Sequence, residues 1–155
     1  MSFELRRKEK KIEGRSAVEA VIAAARFCRL AMTDGDTPYI VPLCFGYRDN
    51  ALYFHCAVRG RKVDMLRKNP RVCVQFDCDL KLLPAEKACD WSLAYKSVIG
   101  FGRASFVEDP RARREALAVI MAHYTDGTFD FEENVLRKTL VVRVDFEELT
   151  GKQAV

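Results

Sequence analysis

The stretch from Phe27 to Asp77, FCRLAMTDGDTPYIVPLCFGYRDNALYFHCAVRGRKVDMLRKNPRVCVQFD, decides the fold class. It holds four runs rich in β-branched and aromatic residues: Phe27–Thr33, Pro38–Tyr47, Ala51–Cys56 and Arg71–Asp77. Asp34-Gly35-Asp36 joins the first pair and Arg48-Asp49-Asn50 the second, connections too short for a crossover helix. Such turns make antiparallel neighbours. One helix interrupts the series, expected from Gly60 to Asn69 and stopped by Asn69-Pro70. Pro42 has no N–H to give to a ladder, so its segment is expected on a sheet edge or bent around something else.

Outward from this stretch the pattern continues. Residues 78–92 read as a long loop. Leu93–Val107 alternates as a long strand, with Gly100 and Gly102 marking a bend or bulge. Asp109-Pro110 is an N-cap followed by proline at the first helical position, and Leu117, Ile120, Met121 and Tyr124 share one helical face. Leu140–Phe146 is the last strand. On the other side, Ser16 and Glu19 have the spacing of a capping box, followed by Val18, Val21, Ile22 and Ala25 at helical spacing. The first fifteen residues, MSFELRRKEKKIEGR, are expected to form a basic arm, mobile or lying on the surface. Strands outnumber helices and do not alternate with them. The expectation is one domain over residues 1–155, mainly β with peripheral helices: an antiparallel barrel.

The chain has 155 residues, 49% hydrophobic and 31% charged, which excludes disordered and low-complexity classes. No apolar window reaches the length of a transmembrane helix, and the charged N-terminus lacks an apolar signal core. No membrane role and a cytoplasmic location are therefore expected. Six cysteines without a CxxC pair read as reduced thiols, most of them in apolar runs such as VPLCF and RVCVQF, where they serve as small buried hydrophobes. With two histidines, a structural zinc site is not expected. The net charge of +4 is mild. Arg59–Arg71 is locally basic, but no nucleic-acid-binding motif accompanies it, so no nucleic-acid partner is assigned.

The segment YFHCAVRGRK (Tyr53–Lys62) carries the strongest chemical signal. It leaves a strand, turns at Gly60 and enters a helix with Arg61 and Lys62 in the first turn. Cations there oppose the helix dipole, at a few tenths of a kcal/mol each. The free amides of that turn also need an acceptor. A bound phosphate satisfies the amides, the dipole and both cations together, and Arg59 adds a third charge nearby. The bland alternative is a set of solvated surface cations. The GxxxxGK[ST] spacing of a P-loop is absent, as is GxGxxG, and a single compact cationic turn suits one terminal phosphate. Two readings stand for Tyr39–Phe45: a proline-protected edge strand, or backbone groups offered to a planar ligand. Two stand for Tyr95–Gly102: a bent barrel strand, or a ligand contact through Ser97. His55 ends a strand beside the phosphate turn, as a ligand contact or as a satisfied histidine, whereas His123 on the second long helix reads as structural. No nucleophile–base arrangement is present in the sequence.

At these residues the chain resembles the flavin-binding split barrels related to pyridoxamine 5′-phosphate oxidase, and within them the nitroimidazole-resistance branch. The strings that carry the likeness are YIVPLCFGY, LYFHCAVRGRKVDMLRKNPRVCVQFD, KSVIGFGRA and LTGKQA, with LRRKEK near the N-terminus; together they span most of the chain in the family's order. The resemblance implies a six-stranded split barrel that dimerises, with FMN at the subunit interface. It implies that Lys62, with Arg61 nearby, holds the FMN phosphate. Val41, Pro42, Leu43 and Cys44 lie along the isoalloxazine ring, and His55, Cys56 and Ala57 line the ribityl and phosphate channel. Ser97 and Val98 contact the flavin from the partner subunit. Some members of the branch carry histidine in the GxK turn where this chain has Arg61, so no role of that histidine transfers.

The expected function is a homodimeric FMN-dependent oxidoreductase, nitroreductase-like, drawing electrons from a donor such as NAD(P)H. The alternative is a non-catalytic flavin or haem binder acting as carrier, sensor or haem-handling protein. A dimer is also expected from apolar load: Val41, Leu43 and Phe45 alternate on one face, and Val98 and Ile99 lie in a strand too long for a small barrel's interior.

Overall fold

The computed structural model describes residues 5–154. Eight strands and four α-helices follow the order β1 (Lys11–Ile12), α1 (Arg15–Ala24), β2 (Cys28–Asp34), β3 (Thr37–Leu43), β4 (Gly46–Arg48), β5 (Ala51–Ala57), α2 (Arg61–Lys68), β6 (Arg71–Leu83), β7 (Ser92–Phe106), α3 (Pro110–Tyr124), α4 (Glu133–Arg137) and β8 (Thr139–Ala154) among the described residues. All pairings are antiparallel, in the order β3-β2-β6-β7-β8-β5-β4, with β1 on β8. The split-barrel class holds. The two strands beyond the expected six are β1, of two residues, and β4, of three.

One face of the sheet builds the core. Leu30 and Met32, Leu52 and Phe54, Val72, Val74 and Phe76, Val98, and Val142, Val144 and Phe146 pack inward with Val18, Val21 and Ile22 of α1. A second cluster lies outside β5, where Ala116, Leu117 and Ile120 of α3 cover Ala51, Tyr53 and Val141. Strand β5 is therefore covered on both faces, which is why Ala51-Leu52-Tyr53-Phe54 is apolar without alternation.

Local signals in the sequence act as read. Strand β3 is an end of the sheet, where Pro38 and Pro42 cost no ladder bond. The β4–β5 turn puts Asp49 at φ 51° and Asn50 at φ 62°, as a two-residue primed hairpin turn requires, and Asn50 Nδ2 donates to Phe146 O at 2.8 Å. Pairing of β7 with β8 shifts register between Phe101 and Gly102. A Cβ at Gly102 would stand 2.4 Å from Asp145 O, so only glycine lets the strands meet there. Asp109 Oδ2 accepts from Ala112 N at 2.8 Å, capping α3 ahead of Pro110.

Other expectations are corrected. The N-cap of α1 is Gly14, with φ 87°, not Ser16. Glu19 is drawn outward instead, accepting from Arg15 Nε at 2.9 Å and from Tyr47 Oη at 3.0 Å. Of the N-terminal arm, residues 1–4 lie outside the described residues, but its end is strand: Ile12 pairs with Gly151 and is buried. Residues 78–92 are not one loop. Strand β6 runs on to Leu83 and pairs with β7 through a register shift between Cys78 and Lys81, where Asp79 has φ 55°. Strand β8 runs on to Ala154 rather than stopping at Phe146, because β7 continues to pair with it. The β6 extension is exposed from Asp79 on, and in β8 the bulge moves the inward positions from Val144 and Phe146 to Leu149 and Gly151, so neither extension continues the strand's period of two. Helix α4 follows no local signal.

Candidate functional site

Helix α2 begins at Gly60, whose φ of 138° suits glycine and whose missing side chain leaves open space. No side chain caps the first turn. Among the described residues neither Arg59, Arg61 nor Lys62 has an ion-pair partner. Arg61 Cζ instead lies 5.4 Å from the Tyr39 ring centroid, and Lys62 Nζ lies 5.6 Å from the Phe54 ring centroid. The result is an anion-receptive turn: open amides, the positive end of an eight-residue helix and three cations, with Asp64 the acidic residue of the first turn but in no ion pair with them. This is the charge pattern that a terminal phosphate fits.

The edge strand β3 and the end of β5 flank this turn. Tyr39, which meets Arg61, stands two residues before Val41. Pro42 and Cys44 are exposed, while Val41 and Leu43 are half-buried against the core. On β5 the same alternation exposes His55 and Ala57 and turns Cys56, half-buried, inward. The structure thus brings Arg61 and Lys62 to the side chains of β3 and β5. Ser97 and Val98 stand apart from them in the strand order, with β2 and β6 between β7 and β3 and β8 between β7 and β5. Ser97 faces outward beside Lys152, its register partner on β8. Val98 is fully buried against the core and pairs on both sides, with Phe76 on β6 and Gly151 on β8.

The apolar-load argument for a dimer is also corrected in its residues. Phe45 and Val98 are fully buried, and Val41 and Leu43 pack on the chain's own core. The exposed apolar surface is elsewhere: Leu80, Leu82, Trp91, Leu93 and Ile99 on the β6–β7 ribbon and its outward face.

The end of β3 is held by a residue that sequence reading placed only on a helical face. The Phe45 N–H donates to Tyr124 Oη at 3.1 Å, and that hydroxyl donates to Arg26 O at 2.9 Å. Burial pushes the Tyr124 hydroxyl up to about 12. His123 joins the same clamp, with Nε2 2.7 Å from Ala25 O and its ring 4.3 Å from that of Phe45. Its Nε2 and its ring thus help to hold the end of β3 against α3. The clamp spans 79 positions between Phe45 and Tyr124, and no local pattern signals it.

The thiols divide in a way the apolar runs did not foretell. Cys28 is buried, and burial pushes its thiol up to about 12. Burial also raises Cys56, Cys73 and Cys78. Cys44 and Cys89 are exposed rather than small core residues. Since the thiolate is the nucleophile, a brief native-state treatment with iodoacetamide is expected to alkylate Cys44 and Cys89 and to leave Cys28 untouched until the chain unfolds. Peptide mapping by mass spectrometry reads this directly, and early modification of Cys28 would contradict the packing.

Comparison with known proteins agrees with this architecture. The family model described as Pyridoxamine 5′-phosphate oxidase matches residues 14–153. A crystal structure of a proposed 5-nitroimidazole antibiotic resistance protein from Bacteroides thetaiotaomicron is 35% identical, covers 92% of this chain and 86% of its own, and superposes with a TM-score of 0.84. An FAD-binding protein from Mesorhizobium loti is 26% identical over 94% of this chain and 98% of its own, with a TM-score of 0.69. An uncharacterised protein of Rhizobium meliloti is 37% identical over 66 residues, so the chain spans less than half of that relative, 43% of its length. The family match covers nearly the whole barrel together with the cationic turn of α2 and the β3 edge, and the chain accordingly belongs to the pyridoxamine 5′-phosphate oxidase family.

Proposed function

We propose that this chain is a homodimeric flavoprotein that binds FMN and acts as an oxidoreductase. The observation that carries the reading is the uncapped, glycine-led start of α2 with three cations and no carboxylate partner among the described residues. Arg61, Lys62 and the first amides of α2 hold the phosphate. His55, Cys56 and Ala57 line the path from it, and Val41, Pro42, Leu43 and Cys44 meet the ring along the sheet edge. Ser97, with its neighbour Val98, closes the site from the partner subunit, Ser97 being the one of the two that faces outward. The exposed Leu93 (44%) and Ile99 (42%) beside Ser97 supply the apolar part of that interface. FMN, when bound, supplies reversible electron transfer, and the protein contributes position, exclusion of water and a positive field at the phosphate.

The FAD-binding relative supports a flavin in this barrel, and the compact turn favours FMN. The resistance-protein relative supports nitroaromatic compounds as the substrates to be tried first, with NAD(P)H as the donor in that assay. The test begins with mass spectrometry of cofactor released from natively purified protein, where FMN is expected. Recovery of FAD or haem as the main species, or of no chromophore, overturns the assignment. Light scattering and flavin fluorescence over one dilution series then test the shared site. Release of FMN should track dissociation, and a monomer that keeps its flavin would refute it.

A further inference from the structure

Strand β2 lies between the edge strand β3 and β6, so its outward side chains stand beside theirs. Arg29 pairs with Pro42 on β3 and with Gln75 on β6, and Cys28 and Leu30 on either side of it are fully buried, which turns Arg29 outward. Directly opposed side chains on one face have Cβ atoms about 5 Å apart. Arg29 therefore sets a guanidinium beside Pro42, within the segment that the flavin reading lays along the ring. It is not a freely solvated cation. Its Nη1 donates to Asp77 Oδ2 at 2.7 Å, and its Cζ lies 4.9 Å from the Phe27 ring centroid. Asp77 is the least exposed member of any ion pair among the described residues, at 15% of its side chain. It reaches Arg29 along the diagonal of the β2–β6 ladder, two residues past Gln75. The carboxylate takes one of the guanidinium's several N–H donors and fixes the fork, so the others can donate at little further entropic cost. Because Asp77 offsets its charge, Arg29 is a weaker phosphate receptor than the cations at Arg59–Lys62. What it offers instead is directed donors to a ligand whose own charge changes.

We propose that Arg29 sets the reduction potential of the flavin. Its guanidinium, held by Asp77 and Phe27, donates to the polar edge of the ring and favours the reduced form over the oxidised one. Hydride from a nicotinamide donor, which is oxidised in giving it, leaves the neutral ring with one added negative charge, and a fixed N–H donor stabilises that charge. The inference rests on the flavin reading and adds to it a residue that the likeness to the family does not supply.

The test uses the full-length protein reconstituted with FMN. The potential of the bound flavin is read against a reference dye during slow reduction, beside the affinity for oxidised FMN and the unfolding midpoint. In Arg29→Met the reduced flavin is expected to lose about tenfold or more in binding relative to the oxidised flavin, a fall of about 30 mV for a two-electron couple. Arg29→Lys, which keeps the charge, is expected to fall less. Asp77→Asn leaves the cation without its counter-charge and is expected to raise the potential. A purely structural ion pair would move the unfolding midpoint and the affinity for oxidised FMN and leave the potential in place. An unmoved potential in Arg29→Met, or no rise in Asp77→Asn, overturns the proposal; where Arg29→Met does not fold, Asp77→Asn decides alone. Wild-type protein that takes up no FMN overturns the flavin reading and this inference with it, whereas FMN-loaded protein whose potential neither variant moves overturns this inference alone.

Discussion

Alanine at Phe45 is expected to destabilise the protein by about 3–5 kcal/mol, the range for truncating a buried phenylalanine. Phe45 is fully buried. Its ring meets Phe76 edge-on at 5.1 Å and lies tilted over His123 at 4.3 Å. Both contacts vanish on truncation, and the space left behind is walled by the sheet on one side and α3 on the other, neither of which can close it. For a chain of this size the loss corresponds to a fall in Tm of roughly 6–20 °C. Denaturant unfolding followed by circular dichroism measures it. A change below about 1 kcal/mol would mean that the site collapses around the smaller side chain and that the packing described here is wrong. Because Phe45 ends the segment that carries Val41–Cys44, flavin affinity should fall with stability in this variant, and it should recover in Phe45→Leu to the extent that the fold does.

The second large effect is at Lys62. Removing the ammonium in Lys62→Ala is expected to weaken FMN binding by about 1.5–3 kcal/mol, the range for a charge-assisted hydrogen bond. Reversing it in Lys62→Glu adds repulsion between two anions, for a total of roughly 4 kcal/mol, or about a thousandfold in Kd. The fold should tolerate both changes. Lys62 has no ion pair among the described residues, and its neighbour Val63, rather than Lys62 itself, fills the core under α2. Fluorescence titration of apoprotein with FMN gives the affinities, and the unfolding midpoint of the apoprotein gives the control. An unchanged Kd in the glutamate variant would move the phosphate to another part of the molecule.

Local chemistry was legible in the chain itself. The run Ala51–Cys56 marked a strand, Pro42 an edge or bent segment that proves to be the edge, Gly100 and Gly102 a bend or bulge, Asp109-Pro110 a helix start and Gly60-Arg61-Lys62 a glycine-led cationic helix start. Each depends on residues within a turn or two of one another, where backbone geometry and side-chain identity are directly coupled. What the chain alone left open depends on partners far away. Whether Ser97 or Val98 faces the core is set by pairing with Asp77 and Lys152 on one side and with Phe76 and Gly151 on the other, since a one-residue slip would exchange them. The inward turn of Phe45 requires Tyr124, and the place of Arg29 between Pro42 and Gln75 requires β3, β2 and β6 to meet in one register. Cys28 is buried on β2, where it pairs with Leu43, whereas Cys44 is exposed just past the end of β3, a difference that the apolar neighbours of either residue do not show. Side-chain type determines which local structures are available; the sum of cross-strand contacts, each between residues remote in sequence, determines which of them share a surface and so which can act together.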